Sequence, residues 1–171
     1  MKCGVVIFPS TLIQEKVNAY RKRFDPKYTL ISPHITIKRS FELTEDKLPE
    51  IVKTLKEIAS QTKPFEIEIN KVSHFAPVNN VIYLKVTASD ELKKLHEQMY
   101  SSPLTTKKEY SFVPHITLSQ ELSSAEFSDI FGKLSMEQFS HTETISSFQL
   151  VYELENGSWE VYESFDFGGS K

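Results

Sequence analysis

Pro33-His34-Ile35-Thr36-Ile37 returns 81 positions later as Pro114-His115-Ile116-Thr117-Leu118. One repeated pentapeptide decides little, because short repeats arise by accident in chains of ordinary composition. The flanks decide. Ser40-Phe41-Glu42-Leu43 matches Ser119-Gln120-Glu121-Leu122 at an offset of 79, and Thr44 to Leu55 then runs against Ser123 to Leu134. Leu48 meets Phe127, Glu50 meets Asp129, Ile51 meets Ile130 and Leu55 meets Leu134. More loosely, Cys3 to Phe8 and the helical stretch after it match Val81 to Val86 and its sequel. The duplication predicts a single bilobal domain over 1–171, with repeats of about 1–78 and 79–171 and a pseudo-two-fold axis between the lobes. Equivalent residues then face each other across a cleft.

Periodicity supplies the elements around the motifs. Lys2–Phe8 reads as a short apolar strand, and Thr11–Phe24 as a helix with Ser10 as N-cap. Thr29–Lys38 reads as a strand, with Pro33 holding Ser32 extended. Thr44 to Lys47 opens a helix whose apolar face is Leu48, Ile51, Val52, Leu55 and Ile58, with Pro49 in its first turn. Phe65–Ile69 alternates as a half-exposed strand should, and Val81–Val86 completes a hairpin with it around Pro77 to Asn80. Ser89-Asp90-Glu91 caps a helix carrying Leu92, Leu95 and Met99. Phe112–Leu118 is the second motif strand and Ala125–Leu134 the second motif helix. Ser147–Leu154 and Ser158–Phe167 form a last hairpin around Glu155-Asn156-Gly157. Helices alternate with strands, but hairpins connect several of them. The class is α+β with antiparallel or mixed sheets flanked by helices, not a doubly wound parallel sheet.

Composition narrows the function. In 171 residues there are 20 basic and 23 acidic side chains, a net charge of −3. Long duplex nucleic acid is not the expected partner, since its binders gain affinity by neutralising many phosphates. A ligand with one or two phosphates is compatible. The single cysteine, Cys3, makes neither an internal disulfide nor a Cys-based zinc site. The apolar run Val5 to Phe8 ends at Pro9 and is too short for a signal segment or a membrane span. The expectation is a soluble cytoplasmic protein without a membrane partner. Oligomeric state is not legible, and a monomer is the working assumption.

On a strand, residues i and i+2 share a face. His34 and Thr36 therefore point one way while Ile35 and Ile37 point into the core, and His115 and Thr117 do likewise against Ile116 and Leu118. Lys38 and Ser119 continue these faces as candidate substrate contacts. Two imidazoles suit acid–base chemistry near neutral pH, because one can take a proton while the other gives one. Two threonine hydroxyls can donate to an anionic oxygen. That set fits a phosphodiester attacked in line, with a base on one side of phosphorus and an acid on the other. No carboxylate recurs in either motif and a catalytic zinc usually takes three protein ligands, so neither metal nor cofactor is expected.

These motifs resemble those of the 2H phosphoesterase superfamily, which has two His-x-Thr/Ser-x motifs on opposing lobes and includes proteins first called 2′-5′ RNA ligases. The resemblance covers nearly the whole chain and rests on His34 to Ile37 and His115 to Leu118. It implies metal-independent hydrolysis of a small cyclic phosphodiester, such as a 2′,3′-cyclic phosphate of a nucleotide or RNA end. It further implies His34 as proton donor, His115 as proton acceptor, and Thr36 and Thr117 as phosphate ligands. The residues alone do not separate donor from acceptor. Two rivals stand beside this reading: a non-catalytic nucleotide or RNA-end binding module, and a 2′-5′ RNA ligase. With no ATP-binding signature, the latter could act only by reversing cyclic-phosphate opening.

The remaining candidates have plainer readings. His96 lies in a polar helix and reads as solvated, and His141 has no repeat partner. His74 and Phe75 follow a strand near the cleft rim, where either can touch substrate. Lys38 and Arg39 are candidates for a terminal phosphate. Tyr83 and Trp159 read as core or sheet-face residues rather than base platforms, and Lys107 and Lys108 as loop decoration.

Overall fold

The computed structural model describes residues 1–101, 103–104 and 111–168. Lys107 and Lys108 lie outside the described residues. The elements run β1 (Lys2–Ile7), α1 (Thr11–Phe24), β2 (Ile35–Glu42), α2 (Leu48–Ser60), β3 (Phe65–His74), β4 (Ile82–Val86), α3 (Asp90–Gln98), β5 (His115–Ser119), α4 (Ser124–Leu134), β6 (His141–Ile145), β7 (Ser147–Glu153) and β8 (Trp159–Asp166). They form two four-stranded antiparallel sheets, ordered β2-β1-β7-β8 and β5-β4-β3-β6. The α+β class and the duplicated arrangement expected from the sequence are thus present.

Local chemistry fixes the element ends. The hydroxyls of Ser10, Ser89 and Ser123 accept from the backbone N–H three residues on, capping α1, α3 and α4. Such caps contribute roughly 0.5–2 kcal/mol each. Ser123 and Glu126 close a reciprocal capping box. Pro49 sits in the first turn of α2, where its missing N–H is harmless. Gly157 takes φ +86° in the β7–β8 turn, a conformation that favours glycine.

Each sheet draws strands from both repeats. β3 of the first repeat joins β4 and β6 in the second sheet, while β7 and β8 complete the first sheet beside β1. The helices cross as well: α1 packs on β5 and α3 on β2. One continuous core results, including Ile35 and Ile37 from the first motif and Ile116 and Leu118 from the second. All four are essentially solvent-free, and each contributes about 1.5–3 kcal/mol of apolar burial.

Three expectations need correction. β2 begins at Ile35 rather than Thr29, because the preceding loop is held in turns by a buried ion pair instead of a sheet ladder. His96 is buried, not solvated: its Nδ1 donates to Ile37 O at 2.8 Å and its ring stacks on Phe112 at 4.0 Å. β6, absent from the periodicity reading, is an edge strand whose polar sequence His-Thr-Glu-Thr hides its pairing with β3.

Candidate active site

Both motifs meet their neighbouring strand through the same irregularity. Val6 lies opposite Thr36 but Val5 lies opposite Lys38, so one step on β1 spans two on β2. Tyr83 lies opposite Thr117 and Ile82 opposite Ser119, which repeats the slip on β4 and β5. A bulge of this kind re-aims side chains and is common beside functional sites. Simple alternation is lost after each threonine. Ile37 and Lys38 are both buried, as are Leu118 and Ser119.

Lys38 and Ser119 consequently have structural partners. Ser119 Oγ donates to Phe24 O at 2.6 Å, fastening β5 to the end of α1, and it does not line the cleft. Lys38 does line the cleft, yet its Nζ donates to Leu104 O at 3.1 Å and lies 3.9 Å from the Tyr100 ring centre. Burial pushes the Lys38 ammonium down to about 8. The bulge therefore takes Ser119 off the cleft as a tie between the two halves, and leaves Lys38 lining the cleft while tied to Leu104 O.

His34 and His115 sit just where their strands begin, each after a buried proline. His34 Nδ1 donates to Ser32 O at 2.8 Å and His115 Nδ1 donates to Val113 O at 2.7 Å. A carbonyl can only accept, so each neutral ring carries its proton on Nδ1 and keeps the Nε2 lone pair for chemistry. Burial pushes His34 down to about 4; the Ser32 carbonyl opposes this, the charges of Arg21 and His115 assist it, and Asp25 opposes it. His115 is also lowered, chiefly by burial, with Arg39 contributing. The surroundings of each ring thus disfavour the cation, and both imidazoles are neutral at pH 7.

A cavity of about 500 Å³ opens beside His34. Thr36 and Thr117 line it together, from different sheets, with Arg21, Asp25, Arg39 and Gln120. His115 is not among its lining residues, although its charge is felt at His34. Arg21 and Asp25 form a buried pair at 3.1 Å on one wall. The guanidinium also donates to Asn18 Oδ1 and to the carbonyls of Lys27 and Ile31, while Asp25 accepts from Lys27 N and Gln120 Nε2. Sequence reasoning missed this pair, whose i,i+4 spacing looks like any exposed helix pair. His74 packs edge-on against Phe127 and Phe131 and does not line the cavity, whereas Phe75 packs on His115. Tyr83 is buried as expected, but Trp159 lines the cavity.

The lowered His34 value has a consequence for stability. The unfolded chain accepts a proton near pH 6.5 that the folded chain refuses until about 4. Stability is then complete above 6.5 and declines as pH falls through that window. Urea midpoints are expected to drop between about pH 7.5 and about pH 5, and His34→Asn is expected to flatten the drop.

Comparison with known proteins follows the same outline. A family model described as the 2′-5′ RNA ligase superfamily matches residues 8–157. A Bacillus licheniformis protein named "Putative phosphoesterase" is 51% identical over 168 residues, covering 98% of this chain and 99% of that protein. The fold resembles Escherichia coli LigT, solved with 3′-AMP, at a TM-score of 0.75 and 14% identity over 97% of each chain. It also resembles TT0787 of Thermus thermophilus, at a TM-score of 0.72 and 18% identity over 100% of each.

Proposed function

The chain belongs to the 2′-5′ RNA ligase superfamily, the 2H phosphoesterases, and from that premise we propose that it hydrolyses a small cyclic phosphodiester, such as a 2′,3′-cyclic phosphate on a nucleotide or RNA end. The whole chain, residues 1–171, acts as one bilobal unit, because the site takes residues from both halves. One observation carries the reading: Thr36 and Thr117, from equivalent bulged strands, line one cavity beside His34. The two hydroxyls hold the phosphate oxygens. His115 takes a proton from water as it attacks phosphorus, and His34 gives a proton to the departing ribose oxygen. One P–O bond forms, the ring P–O bond breaks, and a phosphate monoester remains. The reaction is placed in the cytoplasm, whose reducing conditions suit the one cysteine, Cys3, which is buried and free. Among the described residues no helix is long and apolar enough to cross a membrane.

His34 can be the donor only after substrate arrives. The diester's negative charge favours the imidazolium form and offsets the burial that keeps it neutral. The alkaline limb of kcat, which reports loss of the donor's proton in the complex, is therefore expected at higher pH than the alkaline limb of kcat/KM, which reports the free enzyme. Coincident limbs would count against that donor.

Purified protein incubated with 2′,3′-cyclic mononucleotides, with and without chelator, tests the function. Ring opening to a monophosphate, unchanged by chelator, is expected; an intact cyclic phosphate under both conditions contradicts it. Thr36→Ala and Thr117→Ala should each slow the reaction by about ten- to a hundred-fold. Each removes one charge-assisted hydrogen bond, worth about 1.5–3 kcal/mol.

A further inference from the structure

The two sides of the cleft are filled differently, although their motifs match. Val6 and Tyr83 are structural counterparts, each lying opposite the threonine of its motif. On the second sheet the Tyr83 ring lies 5.1 Å from His115 and Phe75 packs on Tyr83 at 4.4 Å. Phe75 also meets His115 edge-on at 5.1 Å. Protein occupies the space beside that motif. On the first sheet Val6 is far smaller, and Gly4 two residues before it has no side chain. The cavity extends there, over Gly4, Val6 and Val151, as far as Trp159.

That arm suits a flat ring. A methyl group at Gly4 would meet Val151 Cγ2 at 3.8 Å and Trp159 Cζ3 at 3.9 Å, so the glycine keeps the floor low where the indole closes it. Trp159 is half-buried, and its backbone N–H donates to Leu30 O at 2.8 Å. This fastens β8 to the loop carrying Ile31 and Pro33, two more lining residues. Arg21, Asp25 and Lys27 give the cavity a polar wall. An apolar floor, an aromatic end and a polar wall favour a planar heteroaromatic group with hydrogen-bonding edges over a bare sugar phosphate.

The geometry points to a one-sided site in which the nucleoside attached to the phosphate extends over the first sheet and its base packs against Trp159, making Trp159 a specificity-determining residue. This rests on the motif threonines holding the phosphodiester. The chain has one tryptophan, so its fluorescence reports this arm alone. Adenosine 2′-monophosphate is expected to quench that fluorescence, while ribose 5-phosphate and inorganic phosphate are not. By calorimetry, Trp159→Leu should weaken adenosine 2′-monophosphate about ten- to a hundred-fold, with phosphate affinity within about twofold. Trp159→Phe should recover most of the loss and serves if the leucine variant fails to fold. With a cyclic nucleotide substrate, Trp159→Leu should raise KM far more than it lowers kcat. Equal affinity of wild type for nucleotide and ribose phosphate, or a Trp159→Leu variant that binds nucleotide as wild type does, overturns the inference. Quenching by nucleotide without hydrolysis of any cyclic phosphate upholds the base site and removes the proposed reaction instead.

Discussion

His34→Ala and His115→Ala are each expected to lower turnover of a 2′,3′-cyclic phosphate by about 10²–10⁴-fold, and the double variant is expected to be barely slower than either. Acid and base serve one transition state. Once one of them is gone, the other has little left to assist. Folding should survive, since each ring is only partly buried and gives one hydrogen bond to a nearby carbonyl. Losing such a bond costs about 0.5–1.5 kcal/mol. Single variants that retain full activity, or losses that multiply in the double variant, would show that the histidines do not act as a pair.

Asp25→Ala is expected to destabilise the fold by about 3–5 kcal/mol, because it strands the Arg21 guanidinium in the interior. Both side chains are almost completely buried, at 3% and 0% exposure, so solvent cannot take over the lost partner. The same change frees Lys27 N and Gln120 Nε2, which tie the cleft wall to α1 and to the end of β5. Replacing both partners, as Arg21→Met with Asp25→Leu, should cost less than Asp25→Ala alone, since no charge is then left unpaired. Urea unfolding of the two variants beside wild type reads this directly. A loss below about 1 kcal/mol for Asp25→Ala would place the pair among solvated ion pairs.

The motif carried most of what the sequence could say. The repeat of Pro-His-Ile-Thr fixed the duplication, and the serine caps and the Asn156-Gly157 turn fixed element ends, because these features act over three or four residues. The exchange of strands between halves was illegible, since a strand's own pattern does not name its partner. The matched bulges at Thr36 and Thr117 were equally hidden. They explain why alternation placed Ser119 on the cleft when it ties β5 to α1, and why Lys38 lines the cleft while tied to Leu104 O. His96 looked solvated because its helix is polar, but the face it occupies packs on β2. Trp159 reads as a sheet residue along its own strand and becomes a cleft residue only when β8 takes its place beside β7 at the edge of the first sheet.

The phosphorus-31 spectrum of a 2′,3′-cyclic nucleotide, incubated with chelator and either wild-type protein or the His34→Ala/His115→Ala variant, tests the central claim most directly. The cyclic resonance should give way to a phosphate monoester with wild type and persist with the double variant. Persistence with wild type, or conversion by both proteins at the same rate, would contradict two-histidine catalysis in this cleft.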